Sequence, residues 1–397
     1  MISEVLTMNE NGIKELVFIV AGKQQLPVIE YAKSKGYKVI TVDNNIRNPG
    51  HKLADISYNT DVYDKESLFD IVSKCKPNGI VNFVSAHGIL ESIFIKERFG
   101  FPTIKESAFQ IVNDKSEFRN FLVNNGFSGP KVYEVDDGHG WENDVAYPVI
   151  IKPTQGAGSE NVCKINDVNE LKHELERVRA LGITVIVEEF IEHDYRINGD
   201  CFVIDNEVKA IVVGDYYYSD KNKYVAYATS FPSLYDNKKI ADLVSNFVKK
   251  VNYGTGALNF EVIVRDGQEH IIEVNPRHSG NYIFEILSWS SGIDVVALNV
   301  ETSMGGFECA PSIPNDSFYA AAILCTESEG VINKINISNK IKHKIRKSVF
   351  FKEPGDRVNG FHTMHDRIGL LLMEFDNRKE MSETLENFES LYEVKLT

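Results

Sequence analysis

The chain has 397 residues, 25% charged and 43% hydrophobic, with a formal net charge of -14 at pH 7. That is room for two or three domains with cores of their own and the composition of an ordinary soluble protein. The acidic balance argues against general nucleic-acid binding and against anionic membrane surfaces. Five scattered cysteines (Cys75, Cys163, Cys201, Cys309, Cys325) form no CxxC pair, as expected of reduced thiols in a cytoplasmic protein. The opening MISEVLTMNENGIKE carries acids and no long apolar run, so no signal peptide is expected, and no stretch approaches a membrane span.

In chain order, residues 16–21 (LVFIVA) read as a buried strand, followed by Gly22 and a helix through Tyr31 to Ser34 that Gly36 ends. Residues 38–43 (KVITVD) are the next strand, which makes a β-α-β unit and implies a parallel sheet. The Gly22 turn lacks GxGxxG, so a dinucleotide site is poorly supported. Residues 64–74 pattern as a helix and 79–85 as a strand, with Ala86-His87-Gly88 at its carboxyl end. Ligands of open α/β sheets bind at that edge, so His87 is a substrate candidate; the plainer reading is an idle loop histidine.

Asn113 and Asp114 cap a helix over 115–124 that stops at Gly126. Residues 148–152 (PVIIK) are a strand ending in Lys152, and PTQGAGS follows. Lysine there is a mobile charge able to reach phosphate. Gly156 and Gly158, flanked by Gln155 and Ser159, free backbone N–H groups to face an anion, although GxxxxGK[ST] is absent. A simple hairpin turn explains the same residues. Residues 162–165 are a strand, 168–181 a helix, and 185–190 (VIVEEF) a strand closing on Glu188, Glu189, Phe190 and Ile191, with Asp194 beyond. Acids at a strand end can receive an adenine amino group and ribose hydroxyls; a solvated acidic turn is the alternative. Residues 196–203 and 208–213 are strands. Tyr216-Tyr217-Tyr218 with residues 221–224 covers a pocket or forms an exposed edge.

An amphipathic helix over 236–251 leads into GALNFEVIVRDGQEHIIEVNPRHSG, residues 256–280. Leu258, Phe260, Val262 and Val264 alternate with Asn259 and Glu261, and in the second strand Glu273 and Asn275 share a face. A three-residue loop, Asp266-Gly267-Gln268, sets Glu261 opposite Glu273, whereas a two-residue loop throws them onto opposite faces. Paired carboxylates about 5 Å apart at Cβ repel unless one is protonated or a cation lies between them. Magnesium, an oxygen-seeking ion that shares phosphate ligands, suits the pair with Asn275 as third oxygen and Arg277 beside it. A solvated acidic hairpin face is the alternative. Residues 288–304 read as one helix, followed by strands at 319–325 and 369–375 around a turn-rich middle, and a helix at 378–391.

Lys115 at a helix start, Lys152 before PTQGAGS, VEEFI with Asp194, then Glu261, Glu273, Asn275 and Arg277 occur in an order that resembles the ATP-grasp superfamily, in particular its carboxylate–amine ligases. GKQQLPVIEYAKSKGYKVITVD looks like the open α/β domain preceding ATP-grasp in the carbamoyl-phosphate synthetase and purine-ligase branch. DRIGLLLMEFDNRKEM is similar to that branch's small C-terminal domain. The resemblance implies α/β and α+β architecture: a pre-ATP-grasp domain at 1–112, an ATP-grasp domain at 113–308 with a mobile lid at 147–213, and a C-terminal domain at 309–397.

It also implies roles. Lys115 and Lys152 would contact ATP phosphates, with Gln155, Gly156, Gly158 and Ser159 folding over them. Glu188 would take the adenine amino group, Glu189, Phe190 and Ile191 would line the ring edge, Asp194 would hold ribose, and Phe260 would belong to the nucleotide site. Glu261, Glu273 and Asn275 would bind two Mg2+ ions. Arg277, with Lys152, would be catalytic. His87, His278 and Gly280 would face the substrate. Glu192-His193-Asp194 is one residue shorter than the commoner Glu-Gly-x-Glu run and has Asp for Glu, which bears on the ribose role. The implied activity is ADP-forming ligation of a small carboxylic acid to an amine through an acyl phosphate. The partners would be small molecules, without nucleic acid or membrane, and a homodimer is the default state. Purine-pathway or carbamate-type chemistry and a non-catalytic nucleotide-binding module are the competing readings.

Overall fold

The computed structural model describes residues 12–135, 140–156, 161–219, 225–306 and 317–397. β1 (Glu15–Ile19), β2 (Lys38–Asp43), β3 (Ile56–Asn59) and β4 (Gly79–Asn82) make a parallel sheet in the order β3-β2-β1-β4. Its central strands are continuous apolar runs because helices cover both faces. Those helices are α1 (Leu26–Ser34), α2 (Lys65–Cys75) and α3 (Ile89–Phe99), with α4 (Glu106–Asn113) following. The turn between β1 and α1 is tied down from both sides: Asp43 Oδ2, at the end of β2, accepts from the Ala21 N–H at 2.8 Å, and Gln25 Nε2 of the turn donates to Phe83 O. Gln24 Nε2 donates to Gly280 O at 2.6 Å, so the same turn touches the segment after the acidic hairpin.

α5 (Lys115–Asn124) starts at Asp114, whose carboxylate accepts from the Ser116 and Glu117 N–H groups. It leads to a four-stranded antiparallel sheet of β5 (Val132–Tyr133), β6 (Val149–Pro153), β7 (Cys163–Ile165) and β8 (Val185–Glu189), in the order β5-β8-β6-β7. α6 (Val168–Ala180) covers this sheet with Leu171, Leu175 and Val178.

The largest sheet begins with β9 (Tyr195–Ile204), β10 (Glu207–Tyr217) and β11 (Ala228–Phe231), and α7 (Asn237–Val251) then crosses it to β12 (Gly256–Arg265) and β13 (Gln268–Asn275). The C-terminal strands are β14 (Phe318–Leu324), β15 (Glu329–Ile337), β16 (Ile345–Phe350), β17 (Arg357–Asn359), β18 (Gly369–Phe375) and β19 (Tyr392–Leu396). Three of them extend the large sheet, giving β13-β12-β9-β10-β11-β14-β18-β16, while β17, β15 and β19 form a small separate one. The sheet therefore runs across the boundary expected at 308/309.

The helix expected over 288–304 is two helices, α8 (Ile283–Ser291) and α9 (Val295–Thr302), bent by 99°. Gly292 sits at φ 70°, in the left-handed region that ends helices, and the Asp294 carboxylate restarts the chain by accepting from the Ala297 N–H. No single helix among the described residues is long and apolar enough to cross a membrane.

Candidate active site

The small antiparallel sheet and the large sheet face each other across a cavity of about 750 Å3. β6 brings Ile150 and Lys152, the chain after it brings Gln155 and Gly156, β8 and its exit bring Glu188 to Ile191, α5 brings Lys115, and the β12–β13 hairpin brings Glu261, Ile263, Ile272 and Glu273. Most of the expected nucleotide residues thus meet in one place. Gly158, Ser159 and residues 221–224 lie outside the described residues.

Glu261 and Glu273 are direct partners across the hairpin, as expected, but by a different route. The turn is the two-residue Asp266-Gly267, both at positive φ (51° and 76°), with Arg265 paired to Gln268. This is the turn that an Asp-Gly dipeptide favours. By itself it would place the carboxylates on opposite faces. A register shift after Glu261 corrects the parity: Val262 pairs with Ile271 and Glu261 with Glu273, so Ile272 is the extra residue of a bulge. Ile271 consequently enters the core and Ile272 lines the cavity.

The bulge is held by a residue that no motif had marked. Arg119, on α5, donates from Nη2 to the bulged Ile272 O at 2.7 Å. Its Nε and Nη2 also reach the Glu188 carboxylate, at 2.9 and 3.4 Å. Lys152 Nζ takes the other side of that carboxylate at 2.7 Å, and the Arg119 and Glu188 side chains are each 3% exposed. Burial alone would raise the Glu188 pKa, but the Arg119 and Lys152 charges and their hydrogen bonds hold it below the usual range. Burial pushes Lys152 down, with Glu188 opposing and Arg119 adding to the push. Two cations share one carboxylate, and a buried positive charge is left over. Glu188 was expected to offer its carboxylate to an adenine amino group; a buried charge has to be paired, and its pairing is with Arg119 and Lys152.

On the hairpin, Arg196 Nε donates to Glu261 Oε1 at 2.5 Å, with its guanidinium carbon 4.9 Å from the Tyr218 ring centre. Burial would lower the Arg196 pKa, but Glu261 outweighs it and the value rises. Lys115 Nζ stands 3.9 Å from Glu273 Oε1. Asn275 Nδ2 donates to Asn259 Oδ1 at 3.1 Å, which leaves the Asn275 oxygen out of that bond. Among the described residues no group of three His, Cys, Asp or Glu forms a closed metal cage. Two carboxylates and an amide oxygen fit a hard cation that completes its shell with phosphate oxygens.

Six further expected residues lie off the wall of the large cavity. Phe260 points into the core, 2% exposed, because strand alternation sends it opposite to Glu261; Ile263 and Ile272 take the apolar place at the cavity. Asp194 is exposed and off the cavity wall, and its Oδ2 accepts from the Asp266 N–H at 2.9 Å, so it braces the hairpin turn while His193 lines the cavity. His87 is exposed, 2.6 Å from the Tyr63 hydroxyl, and lines none of the cavities described here. His278 is 1% exposed with both ring nitrogens engaged: Nδ1 lies 2.8 Å from Asp200 Oδ1 and Nε2 lies 3.0 Å from Asn299 Nδ2. It holds the strand exit in place, since Asp200 Oδ2 also accepts from the Ser279 N–H. Gly280 contributes its carbonyl to Gln24. Arg277 donates from Nη1 to His278 O at 3.0 Å and lines a smaller cavity, not the large one, while Glu273 opposes the lowering of its pKa by burial.

Beyond Arg196, Tyr218 and Glu261, which line both, lies a second cavity of about 110 Å3. Asn198, Thr229, Ser279 and Asn281 give it polar edges, and Ile283, Ala321, Ile323 and Leu370 give it an apolar floor. Asn198 is buried with its Nδ2 lacking a partner among the described residues. Strand alternation alone could have flagged Asn198, which pairs directly with Glu261; Arg119 carried no such signal.

Residues 112–281 match the family model described as the ATP-grasp domain. Over 282 residues the chain is 26% identical to the formate-dependent phosphoribosylglycinamide formyltransferase of Wolinella succinogenes, covering 67% of this chain and 70% of that one. It is 25% identical over 301 residues to the carbamoyl phosphate synthase large chain of Clostridium beijerinckii, covering 70% of this chain but only 27% of the synthase. The fold is also that of the L-amino acid ligase from Bacillus licheniformis, with a TM-score of 0.80, 18% identity, and 97% and 99% of the two chains covered. The opposed carboxylates, the lysines of α5 and β6, the small antiparallel sheet and the first five strands of the large one lie within that matched span: residues 112–281 are an ATP-grasp domain.

Proposed function

We propose that this protein is an ATP-dependent ligase that phosphorylates a small carboxylic acid and passes the acyl group to an amine, releasing ADP and phosphate. The observation that carries this reading is the charge arrangement of the large cavity. Lys152 sits there with Arg119 behind it and only Glu188 between them, and two paired carboxylates stand on the opposite wall. Polyphosphate satisfies the leftover cation, and magnesium held by Glu261, Glu273 and Asn275 would neutralise phosphoryl charge during transfer.

The remaining roles follow from position. The backbone of residues 189–191 and the apolar Ile150, Ile263 and Ile272 border the seat of the adenine ring. His193 replaces Asp194 as the side chain nearest the ribose. Lys115 and Lys152 hold phosphate oxygens. The acid occupies the adjoining cavity, its carboxylate beside Arg196 and Asn198 and its body over Ile283, Ala321, Ile323 and Leu370. Arg277 leaves His278 O to meet the transferred phosphoryl group. A carboxylate is a poor acyl donor because its leaving group would be oxide. Phosphorylation converts that oxygen into phosphate, which leaves as the amine attacks. The chemistry needs positioning and charge neutralisation, which these residues offer. The formate-dependent relative and the amino acid ligase of like fold support a small acid; the apolar floor favours one larger than formate. The reading implies small-molecule partners only, a cytoplasmic location and a homodimer.

The test crosses a panel of small acids with ATP, magnesium and hydroxylamine. The expected product is a hydroxamate of the acid with one ADP formed per hydroxamate. AMP with pyrophosphate, or no turnover with any acid, would overturn the proposal.

A further inference from the structure

A third cavity, of about 60 Å3, lies between the parallel-sheet unit and the start of β12. One enclosed water takes up about 10–15 Å3 of such space, so there is room for several waters or one small ion. Ile89, Ser92, Ile93 and Lys96 present one face of α3 to it, at the i, i+3, i+4, i+7 spacing of a helix stripe. Arg277 and Thr302 line it as well.

Its charge balance is unlike the rest of the molecule. In a chain of net charge -14, this lining contains Lys96 and Arg277 and neither Asp nor Glu. Among the described residues Lys96 makes no ion pair, and burial pushes its ammonium down to about 8. Thr302 is 6% exposed, and its Oγ1 has no hydrogen-bond partner among the described residues. An ammonium without an ion-pair partner and a buried hydroxyl without a hydrogen-bond partner line one partly open cavity, and one acceptor-rich ion would satisfy both.

We propose that this cavity binds a small oxyanion, a carboxylate or a phosphate, between the Lys96 ammonium and the Thr302 hydroxyl and beside the Arg277 guanidinium. The site is separate from the nucleotide cavity and does not depend on the ligase reading. Arg277 is the residue through which an anion here would be felt at the proposed reaction centre.

Cyanate carbamoylates neutral amines, so the full chain is treated with it near pH 8, with and without ADP, and modification of Lys96 is followed by peptide mass spectrometry. Inorganic phosphate or acetate replaces chloride at constant ionic strength. A saturating anion slows Lys96 modification at least about fivefold, by mass action on the open amine, and leaves Lys238, whose side chain is 84% exposed, unchanged. Thr302→Val raises the anion concentration needed for protection several-fold without altering the rate in chloride. Protection by phosphate alone or by acetate alone supports the site and names its ion. Equal rates in all three salts, which mark a water-filled cavity, or protection that Thr302→Val leaves untouched, overturn it. If the valine variant does not fold, the comparison of the three salts on the unmodified chain decides.

Discussion

Replacing Arg119 by Met tests the buried charge cluster directly. The methionine keeps most of the apolar stem and removes the guanidinium. Glu188, 3% exposed, then keeps Lys152 as its one cationic partner, and the bulged Ile272 carbonyl loses the donor at 2.7 Å. Breaking a buried ion pair costs about 3–5 kcal/mol, because a poorly compensated charge is left behind. For a fold stabilised by roughly 5–15 kcal/mol that is a large share. Urea denaturation of Arg119→Met should show a loss of this size. The double variant Arg119→Met/Glu188→Gln should recover part of it, with a coupling of about 2 kcal/mol or more. Nucleotide affinity should fall too, since Lys152 is then fully neutralised by Glu188. The acid limb carries the same signature. The Glu188 pKa is depressed in the folded state, so its stabilisation is present above the unfolded value, about 4.3, and is lost as pH falls through the folded value. The single variant should lose part of that dependence. A stability within about 1 kcal/mol of the parent, or strict additivity in the double variant, would refute the cluster as a structural element.

Glu273→Gln should abolish turnover and leave the denaturation midpoint unchanged, because the residue faces the cavity and not the core; an unaltered rate at subsaturating magnesium would defeat the metal assignment. Gly199→Ala should destabilise by about 1–3 kcal/mol or more, since its Cβ would lie 2.2 Å from Phe260 Cζ and 2.4 Å from Val212 O; a melting temperature equal to the parent's would show that β9 can yield. Lys96→Met should remove a rise in stability between about pH 8 and the ordinary lysine value of about 10.4. In that window the unfolded chain keeps a proton that the folded chain has released, so stability increases with pH; parallel curves for parent and variant would contradict it.

The acidic hairpin was legible because alternation survives in β12, where every second residue is apolar. The route to it was not, because Ile271 and Ile272 are both apolar and nothing in that pair says which one turns inward. Only the backbone register, and Arg119 bonded to the extra carbonyl, settle it. Arg119 itself reads as an ordinary charge on an amphipathic helix; its partner Glu188 lies 69 residues away, so no local pattern joins them. Asp194 shows the converse. An acid near a strand end looks like a ribose ligand, and nothing in the sequence signals that one of its oxygens, Oδ2, accepts from the turn 72 residues further on. The apolar run over 288–304 hid the break at Gly292, and the polar C-terminal middle hid β15, β16 and β17, whose faces are only partly covered.

The continuity of the eight-stranded sheet limits how this chain can be taken apart. β11 pairs with β14 along Ala228 to Phe231, and β14 with β18 along its full length. A version ending at residue 306 would strip β11 of that neighbour and present a row of bare N–H and C=O groups beside apolar Ala228 and Phe231. Such an edge recruits strands from other molecules. Shortened or chimeric versions that stop at the family-matched span are therefore expected to precipitate or to exchange strands. Exchange of the C-terminal portion between relatives should succeed only when β14 travels with β11.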